Sequence, residues 1–266
     1  TLYDHSGNGN HGIINGATWV ENIEGCTDSY ADNYDDTANV DDGSCEYPDN
    51  GDYSLSFDGD DEIIVEDSNT LDVQNISINI YIKFDEFVQE RVQLLNKWET
   101  ADTPAYFIDL LGSVGGDPYN FTFSISEGNG SQSSAWFPRN LVSLNEWHLI
   151  TGTYDGEWLK LYLDGNLMHQ NAAFISITNG DGNIELGNNL KAKVAWVNIL
   201  DYALTDVEIQ SQLNIIPPAL DSGISANWHF NAGIGETLYD HSGNGNHGTI
   251  NGATWQYEIP LHSGAN

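Results

Sequence analysis

The sequence offers few residues arranged for covalent chemistry and many arranged to hold a cation. In residues 237–255, TLYDHSGNGNHGTINGATW, Asp240, Ser242, Asn244 and Asn246 occur at every second position. Asp4, Ser6, Asn8 and Asn10 do the same in residues 1–19, TLYDHSGNGNHGIINGATW. Alternate oxygen side chains on a glycine-rich curl can converge on one ion, as in EF-hand loops. Gly243, Gly245 and Gly248 permit the tight turn. The acid that closes an EF-hand loop is missing, with Asn15 and Asn251 in its place. Backbone carbonyls, water or a distant acid such as Asp58 would have to complete the shell. The competing reading is a plain Asn-Gly turn. All these donors are oxygen, which favours Ca²⁺ over Zn²⁺.

A second acidic cluster lies between Cys26 and Cys45: Asp28, Asn33, Asp35, Asp36, Asn39, Asp41 and Asp42. Two cysteines in one loop-like stretch point to a disulfide and an oxidising compartment. So many carboxylates in a small loop repel one another, and calcium would offset that; a solvated acidic spacer is the alternative. His5, His11, His241 and His247 lack the cysteines or acids of a zinc site and read as loop contacts. Catalytic patterns are missing. A glycosidase needs two acids facing each other across a cleft, and the nearest run, EIIVED from Glu62, lacks a central Asp. No G-x-S-x-G, H-E-x-x-H or phosphate loop occurs. The chain therefore reads as non-enzymatic. Sugar platforms need exposed rings beside polar groups, and Trp136, Phe137 and Arg139, in the stretch SEGNGSQSSAWFPRN, are the candidates. Trp147, Trp196 and Trp228 fit strand interiors and are expected in the core.

The rest of the chain must position these groups. It has 266 residues with 40 acids against 7 bases, a formal charge of −33. That field repels nucleic acid and anionic membranes, and no apolar run is long enough to cross a bilayer. The two copies of the glycine-rich motif match at 18 of 19 positions, differing only at Ile13 and Thr249. They lie 236 residues apart, since Thr237 corresponds to Thr1. The second copy follows ISANWHF, in which Ile224, Ala226, Trp228 and Phe230 alternate with polar residues as in a strand. The first has no such strand before it. We therefore expect an excerpt of a tandem array, whose neighbouring copies associate head-to-tail. In a sharper version, the WHF strand and hairpin of one unit complete the sandwich of the next. The expected domains are a trailing hairpin (1–20), an Asp-rich disulfide module (21–52), a β domain including the second hairpin (53–256) and a tail or linker (257–266).

From Tyr53 the pattern is β. Ile76, Ile78, Ile80, Ile82 and Phe84 share one face, and Tyr119, Phe121, Phe123 and Ile125 repeat the scheme. Further strands are expected at 91–96, 105–111, 147–154, 157–163, 183–187 and 193–199, with turns such as Asp155-Gly156 between them. One short helix is expected over about 206–213, opened by a Thr205/Glu208 capping box. Many half-buried strands and one helix make an all-β sandwich of two antiparallel sheets.

The runs YSLSFDGDDEIIV, WHLITGTYDGEWLKLYLDG, IELG and DYALTDVEIQ, in that order, resemble the laminin-G-like, concanavalin A-like jelly roll of bacterial secreted proteins over residues 53–213. Tyr81 stands where that family often carries tryptophan. GCTDSYADNYDDTANVDDGSC resembles a small cysteine-bracketed module of bacterial extracellular proteins. The resemblance implies calcium-stabilised binding or spacer modules, with catalysis confined to certain branches. The expectation is a non-catalytic repeating unit of an extracellular, calcium-stabilised adhesive or filament-forming protein. The alternative is a lectin-like, carbohydrate-binding module of a secreted polysaccharide-degrading protein, with cell-surface or environmental glycans as its partners.

Overall fold

The computed structural model describes residues 1–100, 103–112, 119–127, 131–178, 180–213 and 222–258. Contacts divide the chain into two compact units, Thr1–Glu46 and Tyr47–Asn266. Most of the expected tail, from residue 259 on, lies outside the described residues.

In the first unit, residues 1–20 curl so that Leu2 and Gly12 form an antiparallel bridge. Farther along, β1 (Glu24–Gly25) pairs in parallel with β2 (Val40–Asp41). Cys26 and Cys45 form a disulfide across a separation of 19 residues. Closing a loop of that length contributes about 3 kcal/mol in the entropic account. It matters here because Cys26 and Ala31 are the only apolar side chains buried among the described residues of this unit.

The second unit is a sandwich of two antiparallel sheets. In the first sheet the strand order is β12 (Asn166–Ala172), β11 (Trp158–Leu163), β10 (Trp147–Tyr154), β5 (Ile76–Phe84), β14 (Lys191–Leu200), β3 (Tyr53–Asp58) and β18 (Thr254–Tyr257). In addition, β15 (Ile224–His229) pairs with the second half of β14. The second sheet runs β16 (Thr237–Leu238), β17 (Gly248–Asn251), β4 (Glu62–Val65), β13 (Ile184–Leu186), β6 (Val92–Thr100), β7 (Thr103–Leu111), β8 (Asn120–Ser126) and β9 (Gln132–Pro138).

The core lies between the sheets and follows from period-two alternation. Ile76, Ile78, Ile80, Ile82 and Phe84 of β5 are buried in it together with Phe121, Phe123 and Ile125 of β8. At Gly152 the layers approach so closely that a Cβ would lie 2.6 Å from the Phe123 ring. The other face of β5 is covered as well. Asn79 accepts from Thr151 Oγ1 at 2.6 Å and donates to Asn198 Oδ1 at 2.8 Å. Ser77 Oγ donates to the Tyr202 carbonyl at 2.8 Å and accepts from the Leu204 amide at 2.8 Å. The helix α1 (Asp206–Gln212) carries the expected Thr205/Glu208 capping box and buries Ile209 against Tyr162, Leu200 and Leu204. Tyr81 stacks on Trp147 and Trp196, with centroids 5.1 and 6.0 Å away, so a tyrosine fills an aromatic layer in the tryptophan's place.

Two sequence expectations need correction. Residues 132–138 are an edge strand that was not among the expected strands. Residues 224–257 complete their own chain's sandwich: β15 joins β14, β17 joins β4 and β18 joins β3. They are therefore not a segment that must be donated to a neighbour for the fold to close.

Candidate functional site

In the repeated hairpin the side chains expected to face a cation are engaged in hydrogen bonds. Asp240 is fully buried, and its two carboxylate oxygens accept four hydrogen bonds. Oδ1 takes the Asn227 and Ser242 amides, both at 2.9 Å. Oδ2 takes the Ser242 hydroxyl at 2.7 Å and the Asn246 amide at 2.9 Å. Asn244 Nδ2 donates to the carbonyls of Ile224 and Ser225, and Asn246 Nδ2 donates to Ser225 and to Thr70 Oγ1. Donors point at the carboxylate from every side, so the four side chains staple the loop to β15 instead of turning toward a common ion. In the first copy Asp4 likewise accepts from the Ser6 and Asn10 amides, while Asn8 Nδ2 donates to Ser6 Oγ.

The cysteine-bracketed acids also stay apart. Asp28, Asp35, Asp41 and Asp42 each accept the backbone amide two residues ahead, capping four separate turns. Asn33 is tied to Ser44 and Glu46. This is the short-range habit of Asp and Asn in loops, and it holds each carboxylate at its own corner.

Among the described residues, one trio of acids brings its ligand atoms within 4.8 Å of one another: Asp58, Asp60 and Asp61, in the β3–β4 turn. Asp58 was considered only as a helper to the hairpin, and its two neighbours were missed. The run DGDDE after a strand was the available signal. Asp61 is buried and accepts the Asp58 amide at 2.8 Å. A hydrogen bond with Asp58 and that residue's charge raise the pKa of Asp60, while burial raises that of Asp61. The Asp60 shift expresses the crowding of like charges that a cation relieves. Asp58 and Asp60 border an open depression of 520 Å³ that Glu90, Asn189 and Lys191 also line. The Lys191 ammonium is paired with Glu86 at 3.1 Å. An all-oxygen set of this kind suits Ca²⁺ or Mg²⁺.

The expected glycan residues separate in space. Strand alternation sends Phe137 into the core, 2% exposed and stacked on Phe121 at 5.2 Å, so it is withdrawn from the surface platform. Arg139 lies over the Tyr119 and Phe87 rings at 4.5 and 5.6 Å. Trp136 points the other way and is 47% exposed, with its ring 5.4 Å from that of His169.

Trp136 ends a row of directly opposed residues on the outer face of the second sheet: Gln93, Asp109, Thr122 and Trp136. The next row holds Asn96, Phe107, Ser124 and Ser134. Strand spacing makes each row about 14 Å across. Asp109 sits fully buried beneath Arg91, whose Nε donates to it at 2.6 Å, and the guanidinium covers the Phe107 ring at 5.4 Å. With its amide turned to satisfy its neighbours, Asn96 donates to Asp109 at 2.6 Å and accepts from Gln93 and Arg91. Burial pushes the Asp109 carboxyl up to about 7, against the pull of Arg91. Among these eight residues Asp109 is the one carboxylic acid, and Glu185 of β13 extends the second row opposite Asn96. Sequence reasoning passed over Asp109, although an acid inside the apolar run AYFIDLL was a visible signal.

A two-sheet antiparallel sandwich with one short helix and an acidic turn at its rim defines a lectin-type jelly roll. Residues 57–210 match the laminin-G family described as the Concanavalin A-like lectin/glucanases superfamily, and the chain belongs to it. No curated protein matches the chain. Among solved structures it is similar to a Bacteroides ovatus protein proposed to bind carbohydrate, at a TM-score of 0.59 and 15% identity. That match covers 82% of this chain and 62% of the other. The binding domain of botulinum neurotoxin DC, solved with SialylT, gives a TM-score of 0.48 and 16% identity over 60% of this chain and 42% of its own. The serotype D binding domain gives 0.47 and 19%, over 59% and 41%. The chain thus spans less than two thirds of these proteins, and the likeness is one of fold. No helix among the described residues is long and apolar enough to cross a membrane.

Proposed function

We propose that this chain is a non-catalytic, extracellular glycan-binding module whose sugar site is the outer face of the second sheet. The observation that carries the reading is the row ending in Trp136: a half-exposed indole beside Thr122, Asp109, Gln93 and the Arg91 guanidinium. A ring offers stacking to the apolar face of a sugar, and the Arg91 guanidinium, 44% exposed, offers donors to its rim, while Gln93, Asp109 and Thr122 are buried. The similar fold of the Bacteroides ovatus protein supports the ligand class. The disulfide supports the compartment. A calcium ion at Asp58, Asp60 and Asp61 would neutralise the turn and rigidify that rim. The test is a glycan array followed by titration calorimetry. Trp136→Ala should weaken binding at least tenfold and leave the melting temperature nearly unchanged. Equal binding by the variant removes the site.

The near-identical repeat favours a second reading, in which the module is one unit of a longer adhesive or filamentous assembly. Electron microscopy of native material distinguishes fibres from isolated particles.

A further inference from the structure

The two copies of the hairpin have one sequence and two environments. In the second copy Leu238 is fully buried, Ile250 is buried against β4, and Trp255 packs on the core. In the first, Leu2 is 58% exposed, Trp19 is 80% exposed, and Ile14, the counterpart of Ile250, is half-buried. Even so, the first copy already holds the seated conformation. The Leu2–Gly12 bridge matches the Leu238–Gly248 pair. The Asp4 amide donates to His11 Nδ1 at 3.0 Å, as the Asp240 amide does to His247 Nδ1 at 3.0 Å. Gly7 and Gly9 adopt φ of 83° and 70°, and Gly243 and Gly245 adopt 83° and 71°. The apolar face that the second copy buries is presented, preformed, by the first.

We propose that residues 1–20 are a closing segment for the seat formed by β3, β4 and β15 in a second copy of this chain. Sequence identity supplies the complementarity. Whatever that seat accepts from residues 237–255 it is offered again at 18 of 19 positions. The single difference falls at Thr249, an exposed position where the isoleucine of the first copy meets no core atom. The register carries over as well: Thr254 pairs with Ser56 and Ile250 with Ile63, which places Thr18 on Ser56 and Ile14 on Ile63. Asp4 would take the Asn227 amide as Asp240 does. Tethering favours the resident segment through its effective concentration, so exchange between copies requires that segment to be free to leave. The inference is independent of the glycan site.

The test uses the full chain with a protease site introduced at Ile234, an exposed position in the turn between β15 and β16. The chain folds intact and is then nicked, which leaves the resident segment held without a covalent link. Labelled peptides of residues 1–20 and 237–257 are titrated against it. The expected result is that both bind, within about tenfold of each other and in mutual competition, and that Asp4→Ala in the first peptide weakens it at least tenfold. Binding by the second peptide alone overturns the proposal. So does binding by neither, because such a seat cannot exchange between molecules. The nicked chain carrying Thr18→Cys and Ser56→Cys is then oxidised and its bridges mapped. Bridges between chains are expected. Bridges confined within single chains, or no bridge between these positions, overturn the assignment to a second copy.

Discussion

Asp240→Ala and Asp4→Ala make the same change in the same local sequence, and only burial differs. At Asp240 the carboxylate is the acceptor for the Asn227 and Asn246 amides, both on buried residues, and for the Ser242 amide and hydroxyl. Removing it strands two buried amides, each at a cost of about 1–3 kcal/mol. The central expectation is a loss of about 3 kcal/mol. For a unit of this size that lowers the melting temperature by about 6–12 °C. At Asp4 the acceptors' partners Ser6 and Asn10 are exposed, water replaces the carboxylate, and the main transition should not move measurably. Differential scanning calorimetry of both variants, with and without excess chelator, checks this. The hydrogen-bonding account requires the Asp240 loss to be the same with and without chelator. A loss that vanishes in chelator means that a cation, not the amides, was the partner. Equal losses at the two positions would refute the claim that burial sets the cost.

Asp109 gives a pH dependence with an unusual sign. Its folded pKa is raised to about 7 by burial, so between about pH 4 and 7 the folded state keeps a proton that the unfolded state has lost. Raising the pH across that window therefore removes stability, on the order of 4 kcal/mol at most for a shift of about three units. Urea melts should show Asp109→Asn gaining on the native chain between pH 5 and 8; a constant difference means that Arg91 holds the carboxyl ionised throughout. At the β3–β4 turn, millimolar calcium should raise the melting temperature of the native chain. Asp60→Asn, at an exposed position, should abolish the rise with little change in the calcium-free melt, and a rise that persists places the ion elsewhere.

The sandwich was legible because its signals are local. The β5 alternation, the YDG and LDG turns and the Thr205/Glu208 cap each follow from neighbours within a few residues, and each has its expected place in the structure. The sites were less legible because their chemistry is set across strands. Asp240 looked like a ligand in sequence; it accepts the amides of its own loop, as Asp4 does, and β15 adds the Asn227 amide. Asp109 looked like an interruption of an apolar strand, and only the register that sets Gln93, Thr122 and Trp136 in line with it gives it a setting. Phe137 and Trp136, adjacent in sequence, fall on opposite faces because the segment is a strand, and the serines and glycines before it concealed that.

The hairpin also shows why a strongly acidic chain can use an aspartate as an internal fastener. A carboxylate surrounded by amide donors needs no counter-cation, because the backbone dipoles supply the positive ends. The alternating oxygens therefore order the loop, and the acids placed so that they could hold a cation are those of the crowded turn at Asp58, Asp60 and Asp61. This division explains how the first copy can keep its shape with its apolar face exposed. Its conformation is fixed by Asp4 and its own amides, before any partner strand is in place. A segment that is ordered in advance loses less entropy when it docks. Local self-sufficiency and an unsatisfied apolar face are the two properties an exchangeable closing element needs, and residues 1–20 combine them.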